Sequence, residues 1–253
     1  HILTKQSYLY EEPLFLLEKE VSETASYFAI IKTIAHGHRK LGHIAAALAV
    51  PQTRLTKYLA ILISLDLVER QVPITENNPE KSKKGLYFLT DNFIEFWFKF
   101  VYPYRSFIEM GDTDYVLNKI KADLVSSHVS RVFKKVCLEK LWQKNRCDEL
   151  PFKTLKLGRW WGGNEEIDLV GLNEDSKEAL FCECKYTEAP VDDDVFYALV
   201  QKAKSVDWHR ADRQEYYVLY SKSGFTTRVM ELAERRKDLI LMGPEDGGKE
   251  VRK

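Results

Sequence analysis

The spacing of apolar residues along this chain changes from mostly helical to mostly strand-like after about residue 144, and this change constrains the fold more than any other feature. Up to about residue 144, apolar side chains mostly recur every three or four positions, which is the period of amphipathic helices, and only two short runs at 68–72 and 86–89 are strand-like. Residues 151–161, 166–172 and 178–186 instead alternate or run apolar, which is typical of strands. The sequence therefore predicts a two-domain α/β (α+β) chain, with a helical domain followed by a mixed one.

The first domain is expected to contain three helices and a two-stranded ribbon. These elements are predicted, in order, at 22–36, 41–48, 53–65, 68–72 and 86–89. The segment between the two strands is polar and rich in lysine. Three helices followed by a ribbon with a basic tip is the order of a winged helix-turn-helix. We therefore predict a winged helix domain at 22–92, preceded by an N-terminal arm at 1–21.

Residues 93–107 carry eight aromatic side chains in 15 positions. Such a stripe is most often buried, so we expect connecting helices at 93–123 that pack the two domains together. A base-stacking platform is the alternative interpretation. The second domain is expected at 124–253, where a helix precedes the three strands and a helix, a strand, a helix and a strand follow them.

Charge excludes a chain that binds nucleic acid through bulk positive charge, because 38 basic side chains balance 38 acidic ones. The acidic groups are unevenly placed: residues 164–195 hold eleven acidic and two basic side chains. This block is typical of a cation site or of a solvated surface. The chain has only four cysteines and no CxxC pair, so the sequence indicates neither a disulfide scaffold nor a zinc ribbon. No segment is long and apolar enough to predict a membrane span. We expect a cytoplasmic protein.

Three residues of the acidic block form a constellation that could carry chemistry. Asp168 lies in an apolar run, and fifteen positions later a strand holds Glu183 and Lys185 on one face. If the two strands pair as a hairpin, Asp168 comes alongside Glu183. Two adjacent carboxylates repel each other, and a magnesium ion that both coordinate relieves the repulsion. Lys185 could then orient or deprotonate an attacking water. The alternative is a structural carboxylate–lysine pair at a strand end.

This spacing resembles the signature of the PD-(D/E)xK nuclease superfamily, and the αβββαβ order is similar to its restriction-endonuclease-like core. The resemblance implies that Asp168, Glu183 and Lys185 are catalytic. Asp168 and Glu183 would hold the magnesium ion, with Glu166 as an extra ligand. It also implies DNA contacts from the helix after the third strand, at Gln201 and Lys204.

A closer resemblance covers nearly the whole chain. The segments EEPLFLLEKEV, LISLDLVERQVPI, KGLYFLTDNFIEFWFKFVYP, EEIDLVG, FCECKY and YSKSGFT resemble an archaeal P-loop ATPase family. In that family a winged helix and a nuclease-like domain of uncertain role follow the nucleotide-binding domain. The resemblance implies an ATPase domain upstream as partner. Because no GxxxxGK[ST] motif occurs here, we expect no ATP site in these residues.

The chain departs from the nuclease-like pattern at one position. Members of this family usually place an acidic residue directly after a phenylalanine in the helix that opens the domain, whereas Phe133 is followed here by Lys134. Glu139 lies about 140° further around that helix and is no obvious substitute. The missing acid lowers the expected metal affinity.

The predicted winged helix offers a candidate double-stranded DNA interface. In such domains the third helix enters the major groove and the wing contacts the backbone. The expected contacts on the third helix and the wing tip are Gln52, Thr53, Arg54, Lys57, Lys81, Lys83 and Lys84. So few basic groups predict modest, salt-sensitive binding. The alternative is a non-catalytic module for protein interaction or regulation.

Overall fold

The structure, a computed structural model, describes residues 2–5, 7–20 and 23–243. The chain divides into two compact units. The first contains His1–Val72 and Glu80–His128, and the second contains Pro73–Pro79 and Val129–Lys253. The mixed α/β class predicted from the sequence is confirmed.

The first unit is mostly helical. Its helices are α1 Tyr8–Glu20, α2 Thr24–Ala35, α3 Leu41–Leu48, α4 Gln52–Ser64, α5 Asn92–Phe96, α6 Arg105–Glu109 and α7 Thr113–Leu124. Its strands are β1 Val68–Gln71 and β2 Leu86–Leu89. The apolar stripes of α2 and α4 are buried in one core because their residues recur at helical spacing.

The segment expected to be an arm contains a helix. Residues 8–20 form α1 although Pro13 lies inside it, and the buried side chains of Tyr10 and Leu17 attach this helix to the core of the first unit. The indole nitrogen of Trp97 donates a hydrogen bond of 2.8 Å to the carbonyl oxygen of Tyr10. Tertiary packing therefore offsets the loss of the backbone hydrogen bond that a proline removes from a helix.

The ribbon pairs antiparallel, with Val68 opposite Leu89. A further antiparallel bridge joins Leu86 to Lys40, which directly precedes α3. Gly37, with a φ of +95°, closes the end of α2 in a backbone conformation that favours glycine. Part of the segment that connects β1 to β2 belongs to the second unit, because Pro73–Pro79 pack with that unit.

Three side chains of the aromatic stripe (Trp97, Phe98 and Phe100) are buried, and the other five are half-buried and pack against the same core. The side chain of Asp91 accepts hydrogen bonds from the backbone nitrogens of Phe93 and Ile94 and so caps α5. A π-helical turn at Trp97–Val101 continues the chain, and Trp97 is fully buried. The segment therefore supplies core to the first unit.

The second unit is a five-stranded mixed sheet between helices. Its elements are α8 Ser130–Arg146, β3 Lys156–Gly162, β4 Glu165–Asn173, β5 Glu178–Lys185, α9 Asp193–Ala203, β6 Gln214–Ser221, α10 Thr227–Arg235 and β7 Leu239–Met242. The order is β3-β4-β5-β6-β7, with antiparallel pairs up to β5 and parallel pairs beyond it. Apolar residues of α8 pack on one face of the sheet, and those of α9 and α10 pack on the other.

Candidate functional site

The candidate site lies where β4 begins and β5 ends. The two strands pair as the predicted hairpin, with Leu169 opposite Cys182 as the pair nearest this end. The next residues along the two strands are Asp168 and Glu183, both of which are buried. The pairing of β4 with β5 thus brings two carboxylates to one corner of the sheet.

Asp168 is held from the α8 side of the sheet. Its side chain is only 4% exposed and forms an ion pair with the ammonium group of Lys134. Its other oxygen, Oδ2, accepts a hydrogen bond of 2.9 Å from the backbone nitrogen of Cys184. Both oxygens of this carboxylate therefore have a donor, which offsets the cost of burying its charge.

Glu183 is held by two lysines. Its Oε1 accepts from Nζ of Lys185 at 2.8 Å, and its Oε2 accepts from Nζ of Lys202 on α9 at 3.1 Å. The carboxylate is 9% exposed, whereas the two lysine side chains are about one third exposed. The charges of the lysines therefore lie between the buried carboxylate and solvent.

Burial works to lower the pKa of Lys185, but the hydrogen bond from Lys185 to Glu183 and the charges of Glu183 and Asp168 outweigh burial. The pKa of Lys185 is therefore raised above its ordinary value. A raised pKa suits a permanent cation, and it does not suit a lysine that removes a proton from water at neutral pH.

Glu166 lies two residues before Asp168, and its side chain is 58% exposed. Its Oε2 lies 3.4 Å from a guanidinium nitrogen of Arg159 on β3. Within the described residues, no group of three or more histidine, cysteine, aspartate or glutamate side chains is arranged to hold a metal ion.

The donor set around Asp168 and Glu183 does not fit a magnesium ion in this arrangement. Magnesium needs open carboxylate oxygens in an octahedral shell. Here all four carboxylate oxygens face donors, three of which are ammonium groups. A divalent cation would have to displace these groups against their charge. The magnesium ion and the catalytic roles of Asp168, Glu183 and Lys185 stay predictions that a cleavage assay tests.

The three cysteines nearest the site are buried in the core between α8 and the sheet. Cys182 and Cys184 lie on that face of β5, with their sulfur atoms 3.8 Å apart, and Cys137 comes from α8. Burial raises the pKa of the Cys182 thiol well above its ordinary value. The prediction that Cys182 and Cys184 pack in the sheet is confirmed.

In the first unit, α4 has one buried face and one exposed face. Leu55, Leu59 and Leu62 are buried. The exposed side of the first turns carries the four predicted contact residues, which are Gln52, Thr53, Arg54 and Lys57.

Arg54 is positioned by its neighbours. Its guanidinium nitrogens donate to the hydroxyl of Tyr58 at 3.0 and 3.3 Å, and that hydroxyl donates to Glu23 at 2.5 Å. Of the predicted ribbon residues, Lys81, Lys83 and Lys84 are exposed. The structure therefore leaves all seven predicted contact residues on the surface.

Sequence reasoning missed Lys202 as the second partner of Glu183. It pointed instead to Gln201 and Lys204, which are exposed and hydrogen-bonded to each other at 3.0 Å. A signal was present, because Lys202 lies three positions after the buried Leu199 and one before the buried Ala203. Such a position borders the buried face of a helix.

Comparison with known proteins gives two matches. Residues 97–204 match the DUF234 family, described as archaeal and bacterial proteins of unknown function. The chain is also 41% identical over 218 residues to the uncharacterized protein MJECL04 of Methanocaldococcus jannaschii. This chain is similar to an archaeal protein over most of its length. The match covers 85% of the chain but 48% of the relative, so the chain spans about half the length of the curated protein it matches.

No solved structure matches the chain. In the part of the chain that the structure describes, no helix is both long enough and apolar enough to cross a bilayer.

Proposed function

We propose that this chain is a DNA-binding part of a longer cytoplasmic protein, and that its first unit is a winged helix that contacts the duplex. The observation that carries the proposal is α4, which buries Leu55, Leu59 and Leu62 and exposes Gln52, Thr53, Arg54 and Lys57. A helix with polar and basic residues at its exposed N-terminal end is suited to base edges and phosphates.

The elements around α4 support the winged helix interpretation. Helices α2, α3 and α4 precede the β1–β2 ribbon, and the bridge between Lys40 and Leu86 adds a third short segment to it. Arg54 is positioned by its hydrogen bonds to Tyr58, and a side chain that is already positioned pays a smaller ordering cost when it meets a phosphate. The exposed lysines between the ribbon strands would add backbone contacts.

For the second unit we propose a domain with a nuclease-like fold that is not catalytic. Its acidic residues would be neutralised by lysines rather than by a metal ion. The strand order supports the nuclease-like interpretation, and so does the position of Asp168 and Glu183 next to the last β4–β5 pair. The three lysines on these carboxylates support a non-catalytic role. The matched relative is about twice as long as the aligned part, which is consistent with the upstream P-loop ATPase domain that the sequence resemblance implies.

The proposed DNA interface is tested by the salt dependence of binding. Arg54→Ala combined with Lys57→Ala removes two cationic side chains from the exposed end of α4. Each lost phosphate contact reduces the slope of log K against log salt by about one, so the double variant should lose about two. The assay is fluorescence anisotropy of a labelled duplex between about 50 and 200 mM salt, the range over which such contacts change affinity most visibly.

The matched control is Lys119→Ala combined with Lys121→Ala, which removes the same charge from two exposed positions of α7. The control should retain the slope of the parent protein. Equal slopes for both double variants would contradict a DNA interface on α4. Absence of binding at low salt would favour the protein-interaction alternative.

A metal-dependent nuclease is the second candidate function. The observation in its favour is that Asp168 and the hydrogen-bonded pair of Glu183 and Lys185 lie at one end of the β4–β5 hairpin. Its test is cleavage of linear and supercoiled DNA with Mg²⁺ or Mn²⁺, beside Lys185→Ala and a chelator control. Cleavage that both controls abolish would establish the enzyme and contradict the non-catalytic proposal.

A further inference from the structure

The ion pairs around Asp168 and Glu183 leave no carboxylate oxygen open. Lys134 pairs with Asp168, the backbone nitrogen of Cys184 donates to Asp168 Oδ2, and Lys185 and Lys202 donate to the two oxygens of Glu183. Two negative charges thus face three positive ones. The network is one positive charge in excess before any metal arrives.

The position of Lys134 distinguishes it from the other two lysines. Its side chain is 26% exposed and reaches from α8 to a carboxylate that is only 4% exposed. Burying the charge of a carboxylate is costly unless a positive partner compensates it, and a bound cation or an ammonium group can each supply that partner. Here the ammonium group supplies it.

We infer that Lys134 is a built-in cation that takes the place of a divalent metal at Asp168 and keeps such metals out of this corner of the sheet. The inference concerns the same carboxylates as the proposed function, but it does not require that the chain binds DNA. It follows that removing the Lys134 ammonium should create a site for a divalent cation. Asp168 would then be a buried carboxylate without its cation.

The test measures binding of Mn²⁺ alone, by electron paramagnetic resonance of the free ion, to the full chain without nucleic acid. The variants are Lys134→Ala, which removes the ammonium group, and Lys134→Gln, which keeps a neutral hydrogen-bond donor. The matched control is Lys144→Ala on the same helix. Lys144 pairs with Glu149 at 2.9 Å and is 21% exposed, close to the 26% of Lys134. Circular dichroism establishes that each variant is folded.

Both Lys134 variants should bind Mn²⁺ at least tenfold more tightly than the parent protein and Lys144→Ala. Adding Asp168→Asn to Lys134→Gln should abolish the gain. If Lys134→Ala folds only with Mn²⁺ present, that also supports the inference. Mn²⁺ binding by the parent protein as tight as that of the variants would overturn it. So would a folded Lys134→Gln protein without any gain.

Discussion

The change in stability when Asp168 is replaced by alanine distinguishes two arrangements. In one, lysines and a backbone nitrogen compensate the carboxylates; in the other, the two carboxylates repel each other at an open metal site. The substitution removes the acceptor of the Cys184 backbone nitrogen, which lies in a residue that is 5% exposed. An orphaned buried donor costs about 1–3 kcal/mol. It also leaves the Lys134 ammonium without its partner. The full cost of breaking a buried pair is about 3–5 kcal/mol. Because Lys134 is 26% exposed and can turn to water, only about 1–2 kcal/mol of that cost applies here.

Together these effects predict that Asp168→Ala destabilises the second unit by about 3 kcal/mol. The assay is urea unfolding followed by tryptophan fluorescence with a chelator present. Four of the five tryptophans (Trp142, Trp160, Trp161 and Trp208) lie in the second unit, so the signal reports mainly on it. With a slope of about 2 kcal/mol per molar urea, the midpoint should fall by about 1.5 M.

The control is Glu166→Ala, which removes a carboxylate that is 58% exposed and should change stability by less than about 0.5 kcal/mol. If Asp168 and Glu183 instead formed an open metal site, removing one carboxylate without metal would relieve repulsion and stabilise the protein. An unchanged or raised urea midpoint for Asp168→Ala would therefore refute the reasoning.

Two further predictions concern charges of the second unit. Because the pKa of Lys185 is raised by Glu183 and Asp168, Lys185→Ala should cost about 1 kcal/mol at neutral pH. This loss should disappear as the pH rises through the folded-state pKa, above 10.5, in urea unfolding at a series of pH values. A cost that does not change with pH would contradict the ion pair. Arg213 has a side chain that is 1% exposed, pairs with Glu215 at 2.7 Å and donates to three backbone carbonyls. Arg213→Ala should therefore cost about 3–5 kcal/mol in the same assay, and a cost below about 1 kcal/mol would contradict the contacts.

Much of the fold could be predicted from the sequence because each element has a strong period. The strands β5 and β7 and the helix α3 lie within a residue of their expected bounds. Helix α1 could not be predicted with equal certainty, since Pro13 opposes a helix locally and only tertiary packing decides the outcome. The packing of Pro73–Pro79 with the second unit was also not predictable. This packing includes a hydrogen bond of 2.9 Å from the backbone nitrogen of Ile74 to the carbonyl oxygen of Arg159, a residue far from Ile74 in the sequence.

The candidate site shows the same division. Alternation along β5 and the hairpin were enough to bring Asp168 towards Glu183. The sequence also marked Lys134 as an unusual residue, but not as the partner of Asp168. That pairing depends on how far α8 lies from the start of β4, and local periodicity carries no information about that distance. The same reason explains why Lys202 was missed.

The most direct test of the account measures duplex binding and cleavage in the same samples of this chain, with either a chelator or Mg²⁺ present. The account predicts salt-sensitive binding of the labelled duplex in chelator and no cleavage after Mg²⁺ is added, because lysines neutralise Asp168 and Glu183. Mg²⁺-dependent cleavage that is lost in Lys185→Ala, or no binding even at low salt, would contradict it.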